Sequence, residues 1–384
     1  MSRNPLLLIH ETVVCQKIIG DKLNIKMRLI SYTIILILFF QSCNVHKKVT
    51  YDVQSNNLVE QQKQYFDIDK LAEVTELINE KSVTTGLVVL HKGKSIFQYG
   101  DVKKLSYVAS CRKSILSILY GKYVENETID LSTKIGELGI DENDGLLPIE
   151  KTATINDLIT SRSGVHHVAS NGGYDKDNFL ERGSVAPGEY FVYNNWDFNV
   201  AGHILELYTG HSIYKELELQ LAIPLGFEDW NLKTQRKSGN KKKSQYLAYH
   251  MDLSTRDMAK LGQLMLQEGE WNGHQLIPQE WIKKTITTVT PKDTVIKRHG
   301  MPGEIEMSYG YMWWLFDNYK NKPKYKGAYS AMGYGGQYIT VFPQIDVVIA
   351  HKTKLGLFRL LGLKEDGGWH YWEIMHKIID SYDY

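Results

Sequence analysis

Residues 107–119 read YVASCRKSILSIL, and within them Ser110 and Lys113 are the first candidates for catalysis. Apolar side chains recur at three- and four-residue steps, so the spacing predicts a buried helix over 110–124. Side chains three positions apart share one face of a helix, which brings the Lys113 amine within reach of the Ser110 hydroxyl. A serine becomes a good nucleophile only when a neighbouring base takes its proton. The pattern therefore predicts Ser110 as a nucleophile and Lys113 as its base.

The base must be uncharged to accept a proton, and burial is one way to lower the pKa of a lysine. The apolar residues on both sides of the motif suit such burial. By itself, however, S-x-x-K is a short and common pattern, and a surface serine and lysine on a helix is the competing interpretation. Cys111, beside the nucleophile, is expected to point away from the catalytic face and to pack in the core.

Outward from this helix, periodicity and turn signals divide the rest of the chain into helices and strands. Helices are expected at 68–80, 155–160, 199–208, 255–268 and 371–379. Strands are expected at 85–99 (a hairpin that turns at 91–94), 309–316, 337–342 and 346–353. Strands at both ends with helices between them predict an α+β domain, in which the chain's two extremities build one antiparallel sheet beside a mostly helical inserted part.

Two further segments give the S-x-x-K motif a context. Tyr193-Asn194-Asn195 lies inside PGEYFVYNNWDFNVAGHILE (187–206), and Tyr334-Gly335-Gly336 precedes QYITVFP. In this order the three motifs resemble those of the serine β-lactamase and penicillin-binding-protein superfamily, in particular its class C β-lactamase, DD-peptidase and esterase branch. Order and spacing agree from about residue 80 to the C-terminus, and the resemblance implies the β-lactamase/DD-peptidase-like fold.

The resemblance also implies a role for each matching residue. Ser110 would attack a carbonyl to give an acyl-enzyme, and Lys113 would accept its proton. Tyr193 would share the base role and protonate the leaving group. Asn195 would hydrogen-bond Lys113 and the substrate amide. The main-chain N–H groups of Ser110 and Gln337 would form the oxyanion hole, where the loss of one donor typically costs on the order of a hundred- to a thousandfold in rate.

The third motif departs from the family pattern. Tyr334 stands where β-lactamases and DD-peptidases have a lysine or histidine that helps bind a substrate carboxylate, while Gly335 and Gly336 would let the strand approach a substrate. The set is closest to 6-aminohexanoate-dimer hydrolase and related esterases, which implies that the protein cleaves a small amide or ester. Two alternatives stay open: a penicillin-binding DD-peptidase or β-lactamase, and a non-catalytic binding module on the same fold.

Composition excludes other classes of function. Lysine plus arginine (45) nearly cancels aspartate plus glutamate (44), which argues against nucleic acid as a partner. The 13 histidines form no H-E-x-x-H motif or other metal-ligand spacing, so we expect neither metal nor cofactor. His166-His167 could suggest a Ser-His pair, but without a G-x-S-x-G motif a structural role in a loop is favoured.

The N-terminal region predicts export. Residues 29–40 (LISYTIILILFF) form a short apolar stretch after Lys26 and Arg28, and they end near Cys43. This resembles a lipoprotein leader over 1–43 with Cys43 lipidated, and Met27 as the true start would make 1–26 an upstream artefact. A single uncleaved anchor helix is the alternative. We expect a tether over 44–65 and a hydrolase domain over 66–384, anchored to a bacterial membrane and facing the periplasm or cell exterior.

Overall fold

The computed structural model describes residues 64–172, 176–295, 306–317, 322–354 and 369–383. All of them belong to one compact unit. The leader, the lipidation site at Cys43 and most of the tether predicted from the sequence lie outside these residues. Within the described part, no helix is long and apolar enough to cross a membrane.

Helices and strands alternate irregularly along the chain. The helices are α1 Ile68–Lys81, α2 Cys111–Glu125, α3 Ile155–Ile159, α4 Asn195–Thr209, α5 Ile213–Leu217, α6 Thr255–Leu266, α7 Gln279–Thr285 and α8 Trp369–Asp380. The strands are β1 Thr84–His91, β2 Lys94–Gly100, β3 Ser106–Tyr107, β4 Arg236–Ser238, β5 Ala248–His250, β6 Asp252–Leu253, β7 Glu270–Trp271, β8 His274–Gln275, β9 Met307–Tyr309, β10 Trp314–Phe316, β11 Tyr329–Gly333, β12 Gln337–Phe342 and β13 Val347–Thr353.

Among the described residues, seven strands form one sheet in the order β2-β1-β13-β12-β11-β10-β9, and every neighbouring pair is antiparallel. Strand β1 therefore pairs with β13, the last strand, and β2 pairs with β1, which confirms the predicted α+β fold with a sheet built from both extremities. Helix α6 packs on β1, β12 and β13, whereas α8 packs against α1. The Tyr371 ring of α8 stacks on Tyr338 of β12 at 4.0 Å. Helices thus cover both faces of the sheet.

Helix α2 runs beside the sheet and is buried along most of its length, from Cys111 to Gly121. It packs against β11 and β12 on one side and against α4, α5 and α7 on others. The burial of this helix therefore takes in polar side chains, Arg112, Lys113, Ser114 and Ser117, together with its apolar ones. The predicted helix over 110–124 is confirmed, with Ser110 as its N-cap residue rather than its first turn.

One strand prediction is wrong. Residues 309–316 do not form a single strand, because the chain turns between β9 and β10, which pair with each other through Trp314 and Tyr309. Met312 in this turn has a φ of 65°, and its carbonyl accepts a hydrogen bond from the Ser114 hydroxyl at 2.6 Å. The turn is therefore fixed by α2, a contact that the local apolar pattern does not reveal.

Candidate active site

The nucleophile candidate sits at a sharp bend. Ser110 is half-buried at the start of α2, and the residue before it, Ala109, has a φ of 50°. This left-handed conformation is unfavourable for a residue with a Cβ, and such strain is typical of functional sites. The segment before the bend is held by β3, which pairs with β6, and by the Val108 N–H, which donates to Met251 O at 3.0 Å.

Lys113 lies between the two hydroxyl groups expected to share its chemistry. Its Nζ is 3.0 Å from Ser110 Oγ and 2.6 Å from the Tyr193 hydroxyl. Lys113 is 1% exposed and Tyr193 2% exposed. The ring centre of Phe198 lies 4.6 Å from Nζ. An amine enclosed in this way loses hydration, which favours its neutral form and hence its use as a base.

Tyr193 is placed by aromatic packing. Its ring lies 5.0 Å from Phe198 of α4, 6.2 Å from Tyr309 and 5.8 Å from Trp314. The next residue, Asn194, caps α4 by accepting a hydrogen bond from the Trp196 N–H at 3.0 Å. The cap begins the helix immediately after Tyr193, so the phenol is fixed at the junction of the α4 N-terminus and the β9–β10 edge of the sheet.

Asn195 is near the site but does not hold Lys113. Its side-chain amide donates to the carbonyl of Gly172, and its Oδ1 is buried with no hydrogen-bond partner among the described residues. The predicted hydrogen bond from Asn195 to Lys113 is therefore wrong in this structure, because the Gly172 loop takes the Asn195 amide. A buried acceptor without a partner is costly, so Oδ1 is ready to accept a hydrogen bond from a bound molecule.

The β11–β12 hairpin forms the opposite wall of the site. A Cβ on Gly333, the last residue of β11, would lie 2.5 Å from Val108 O and 3.2 Å from the Ala109 Cβ. This close approach requires a glycine and brings the end of β11 against the bend before Ser110. At the hairpin tip, Tyr334 is 65% exposed, and Gly335 and Gly336 have φ values of 74° and 97°.

The direction of the main chain decides which N–H faces the site. Cys111 Sγ donates to Gln337 O at 3.2 Å and to Ala331 O at 3.6 Å, so both carbonyls point into the space between β11 and β12. In an antiparallel pair the N–H and C=O of one residue point to the same side. The Gln337 N–H therefore faces its ladder partner Gly333. The predicted use of the Gln337 N–H as an oxyanion donor is wrong for this reason.

The neighbouring position on β11 has the opposite orientation. Successive residues of a strand alternate in the direction of their N–H groups, so the Met332 N–H points away from β12. On that side β10 pairs with β11 only as far as Ser330, opposite Trp314. Met332 thus presents its N–H beyond the end of β10, one residue before Gly333, which lies against the bend before Ser110. Sequence reasoning missed this group, since a main-chain donor has no residue type that marks it.

Comparisons with known proteins show the family to which the chain belongs. The model of the β-lactamase family matches residues 71–354. The chain belongs to the β-lactamase family. A protein of Alkalihalophilus pseudofirmus, described as uncharacterized, is 24% identical over 261 residues, which are 63% of this chain and 71% of that protein.

Two solved structures share the fold at low sequence identity. A putative 6-aminohexanoate-dimer hydrolase from Bacillus anthracis is 20% identical, with a TM-score of 0.58 over 80% of each chain. A putative β-lactamase from Bacteroides dorei is 17% identical, with a TM-score of 0.57 over 82% of this chain and 99% of the other. The predicted recognition and fold are confirmed, and the family is one of hydrolases.

The remaining candidates of the sequence have structural roles. Cys111 is fully buried, and burial raises the pKa of its thiol to about 12, so it packs in the core as expected. His167 pairs with Asp144 at 2.9 Å, and His166 contacts the main chain of Leu180, in the loop role favoured by the sequence. Among the described residues, no group of three or more histidine, cysteine, aspartate or glutamate side chains is arranged for a metal ion.

Proposed function

We propose that this β-lactamase family member is a serine hydrolase that forms an acyl-enzyme on Ser110 and cleaves a small amide or ester. The observation that carries the proposal is the enclosed trio in which Lys113 Nζ lies 3.0 Å from Ser110 Oγ and 2.6 Å from the Tyr193 hydroxyl. Covalent catalysis needs a nucleophile within hydrogen-bond distance of its base. Here the base also lies within that distance of a second group that can carry the proton.

Each residue takes one part in the reaction. Ser110 Oγ attacks the substrate carbonyl while its proton passes to the neutral amine of Lys113. Tyr193 relays this proton to the leaving group, because its hydroxyl contacts the same amine. A water molecule then attacks the acyl-enzyme by the reverse route, which regenerates the serine. The buried Oδ1 of Asn195 accepts a hydrogen bond from the substrate.

The oxyanion hole is assigned to the main-chain N–H groups of Ser110 and Met332. The first lies at the N-terminus of α2, where unpaired N–H groups and the helix dipole favour negative charge. The second faces the same space from the end of β11. Two fixed donors at the developing oxyanion supply a large share of the rate enhancement in acyl transfer.

The substrate is a small uncharged or weakly charged amide or ester. The hairpin tip offers Tyr334 rather than a cation, so it lacks an ionic partner for the carboxylate of a β-lactam or of a peptidoglycan terminus. The similarity to a putative 6-aminohexanoate-dimer hydrolase supports the same choice. A penicillin-binding DD-peptidase is the alternative, and it predicts that labelled penicillin forms a stable adduct on Ser110.

The test compares the parent protein with Ser110→Ala and a matched control. Ser117 lies on the same helix, and its buried hydroxyl has no hydrogen-bond partner, so Ser117→Ala changes a serine on α2 without touching the site. A fluorophosphonate probe should label both the parent and Ser117→Ala, and both proteins should hydrolyse p-nitrophenyl esters. Equal labelling and turnover in Ser110→Ala would overturn the proposal.

We also propose that the protein is exported and anchored through a lipid on Cys43. The proposal rests on the apolar stretch 29–40 that precedes this cysteine.

A further inference from the structure

Arg112 stands between the nucleophile and the base in sequence but points elsewhere. It is 1% exposed, its Nη2 donates to Asn199 Oδ1 at 3.2 Å, and its guanidinium carbon lies 4.2 Å from the ring centre of Tyr249. Its Nη1 is buried with no hydrogen-bond partner among the described residues. In the described part of the chain, no carboxylate forms an ion pair with it. The guanidinium therefore lacks a counter-ion, and a buried cation without an anion is unfavourable.

Asn199 and Tyr249 separate Arg112 from a cavity of about 370 Å³, here called the α4 cavity. His203, Lys237 and Lys241 also line it. Its position follows from α4, where residues four apart share one face: Asn199 comes one turn after Asn195, and His203 one turn later. The cavity therefore begins roughly 6 Å along the helix from the candidate active site.

The charges around the α4 cavity do not balance. Lys237 is paired with Glu206, and the other oxygen of Glu206 accepts from the Ile213 N–H at 3.1 Å. Lys241 is exposed and forms no ion pair with a described residue. Burial lowers the pKa of His203, so the imidazole is neutral and adds no charge. The buried carboxylate of Glu142 accepts from the N–H of the lining residue Gln245 at 3.1 Å, whereas Asp141 is paired with Lys151. Two cations, Arg112 behind the wall and Lys241 at the rim, face this one carboxylate, so the net charge around the cavity is positive.

A second buried donor lies close to this cavity. The hydroxyl of Tyr214, which follows the cavity-lining residue Ile213, is buried without a hydrogen-bond partner in the described structure. Arg112 Nη1 and the Tyr214 hydroxyl are thus two buried donors without a partner in the described structure, and the Tyr249 hydroxyl, which is also buried without a partner, belongs to a residue that lines the cavity beside them. Oxyanions with several lone pairs are the ligands that such donors bind, and arginine suits planar carboxylate and phosphate groups.

We propose that the α4 cavity is a binding site for a small organic anion, whose carboxylate or phosphate group is attracted by Arg112 and Lys241. The site is separate from the reaction at Ser110, and its occupancy is measurable by binding alone. A failed assay of hydrolysis therefore does not bear on it, and a failed binding assay does not bear on hydrolysis.

The test is isothermal titration of the folded protein with glutarate, inorganic phosphate and the uncharged analogue glutaramide at fixed ionic strength. Glutarate, phosphate or both should bind with one-to-one stoichiometry, and glutaramide should not. Binding of glutarate alone identifies a carboxylate site, and binding of phosphate alone a phosphate site. Affinity should fall as salt rises, because the attraction is electrostatic.

Three variants make the result specific to the cavity. Lys241→Ala should weaken binding about three- to tenfold, whereas Lys242→Ala, an exposed neighbour that does not line the cavity, should leave it unchanged. Asn199→Asp places a carboxylate next to Arg112, so it should abolish binding and raise the melting temperature. The proposal is overturned if no probe shows saturable binding up to 20 mM. This concentration is roughly a thousandfold above a typical ligand Kd of tens of micromolar. Equal effects of Lys241→Ala and Lys242→Ala, or full binding in Asn199→Asp, overturn the proposal as well.

Discussion

Replacing Lys113 with methionine separates the chemistry of the site from its packing. Methionine has a similar length and volume, so the buried space between Tyr193 and Phe198 stays filled. The base is lost, however, and general bases typically contribute about 10² to 10⁴ in rate. Each factor of ten corresponds to about 1.36 kcal/mol in the activation barrier. We therefore expect kcat/KM to fall by about 10² to 10⁴, which corresponds to a rise of about 2.7 to 5.4 kcal/mol in the activation barrier.

The stability of Lys113→Met should change far less. The Tyr193 hydroxyl loses its hydrogen bond of 2.6 Å to Lys113, and the loss of one hydrogen bond typically costs about 0.5–1.5 kcal/mol. Removal of a buried amine offsets this, because replacing a buried polar or ionic group by an apolar one of the same volume is often neutral or stabilising. The two effects oppose each other, so the free energy of unfolding should stay within about 2 kcal/mol of the parent value.

Two measurements check this prediction: kcat/KM with p-nitrophenyl butyrate, and urea unfolding of the same samples. Ser117→Ala is the control and should keep both values. The reasoning is refuted if Lys113→Met retains more than a tenth of the parent kcat/KM while fully folded. It is also refuted if activity and folding are lost together, since the residue would then act on structure rather than on proton transfer.

Three other outcomes are expected. Burial lowers the pKa of Lys352 to about 7, so the folded chain binds fewer protons than the unfolded chain between pH 7 and the ordinary lysine pKa, and stability rises with pH in that window. In the parent, the free energy of unfolding should rise by up to about 5 kcal/mol across this window, and Lys352→Met should remove the rise. Urea unfolding at several pH values measures it, and an identical pH dependence in parent and variant would contradict the prediction. Gly262→Ala should lower the free energy of unfolding by about 1–3 kcal/mol, because the new methyl would lie 2.4 Å from Val348 Cγ1; Gly172→Ala, with open space, serves as the control. Cys43→Ala should abolish incorporation of labelled palmitate in bacteria, and unchanged labelling would exclude Cys43 as the lipid site.

Local patterns predicted most of the elements. The α2 helix, the β1–β2 and β12–β13 hairpins and the capped start of α3 at Thr154 follow from apolar periodicity and turn residues. The failure at 309–316 has a physical cause: the run is apolar because both short strands and the turn between them are buried. A turn that is buried against α2 has the same apolar composition as a buried strand, so composition does not distinguish the two.

The features of the candidate active site also divide into those that local sequence determines and those that depend on tertiary structure. The sequence by itself determined the pairing of Ser110 with Lys113, because three residues on a helix fix which side chains share a face. Only the tertiary structure decided that Tyr193, 80 residues away, touches the same amine, and that Asn195 bonds Gly172 instead. It also decided that Met332, and not Gln337, presents its N–H to the site. The direction of a main-chain donor depends on the register between strands, and no side chain at that position encodes it.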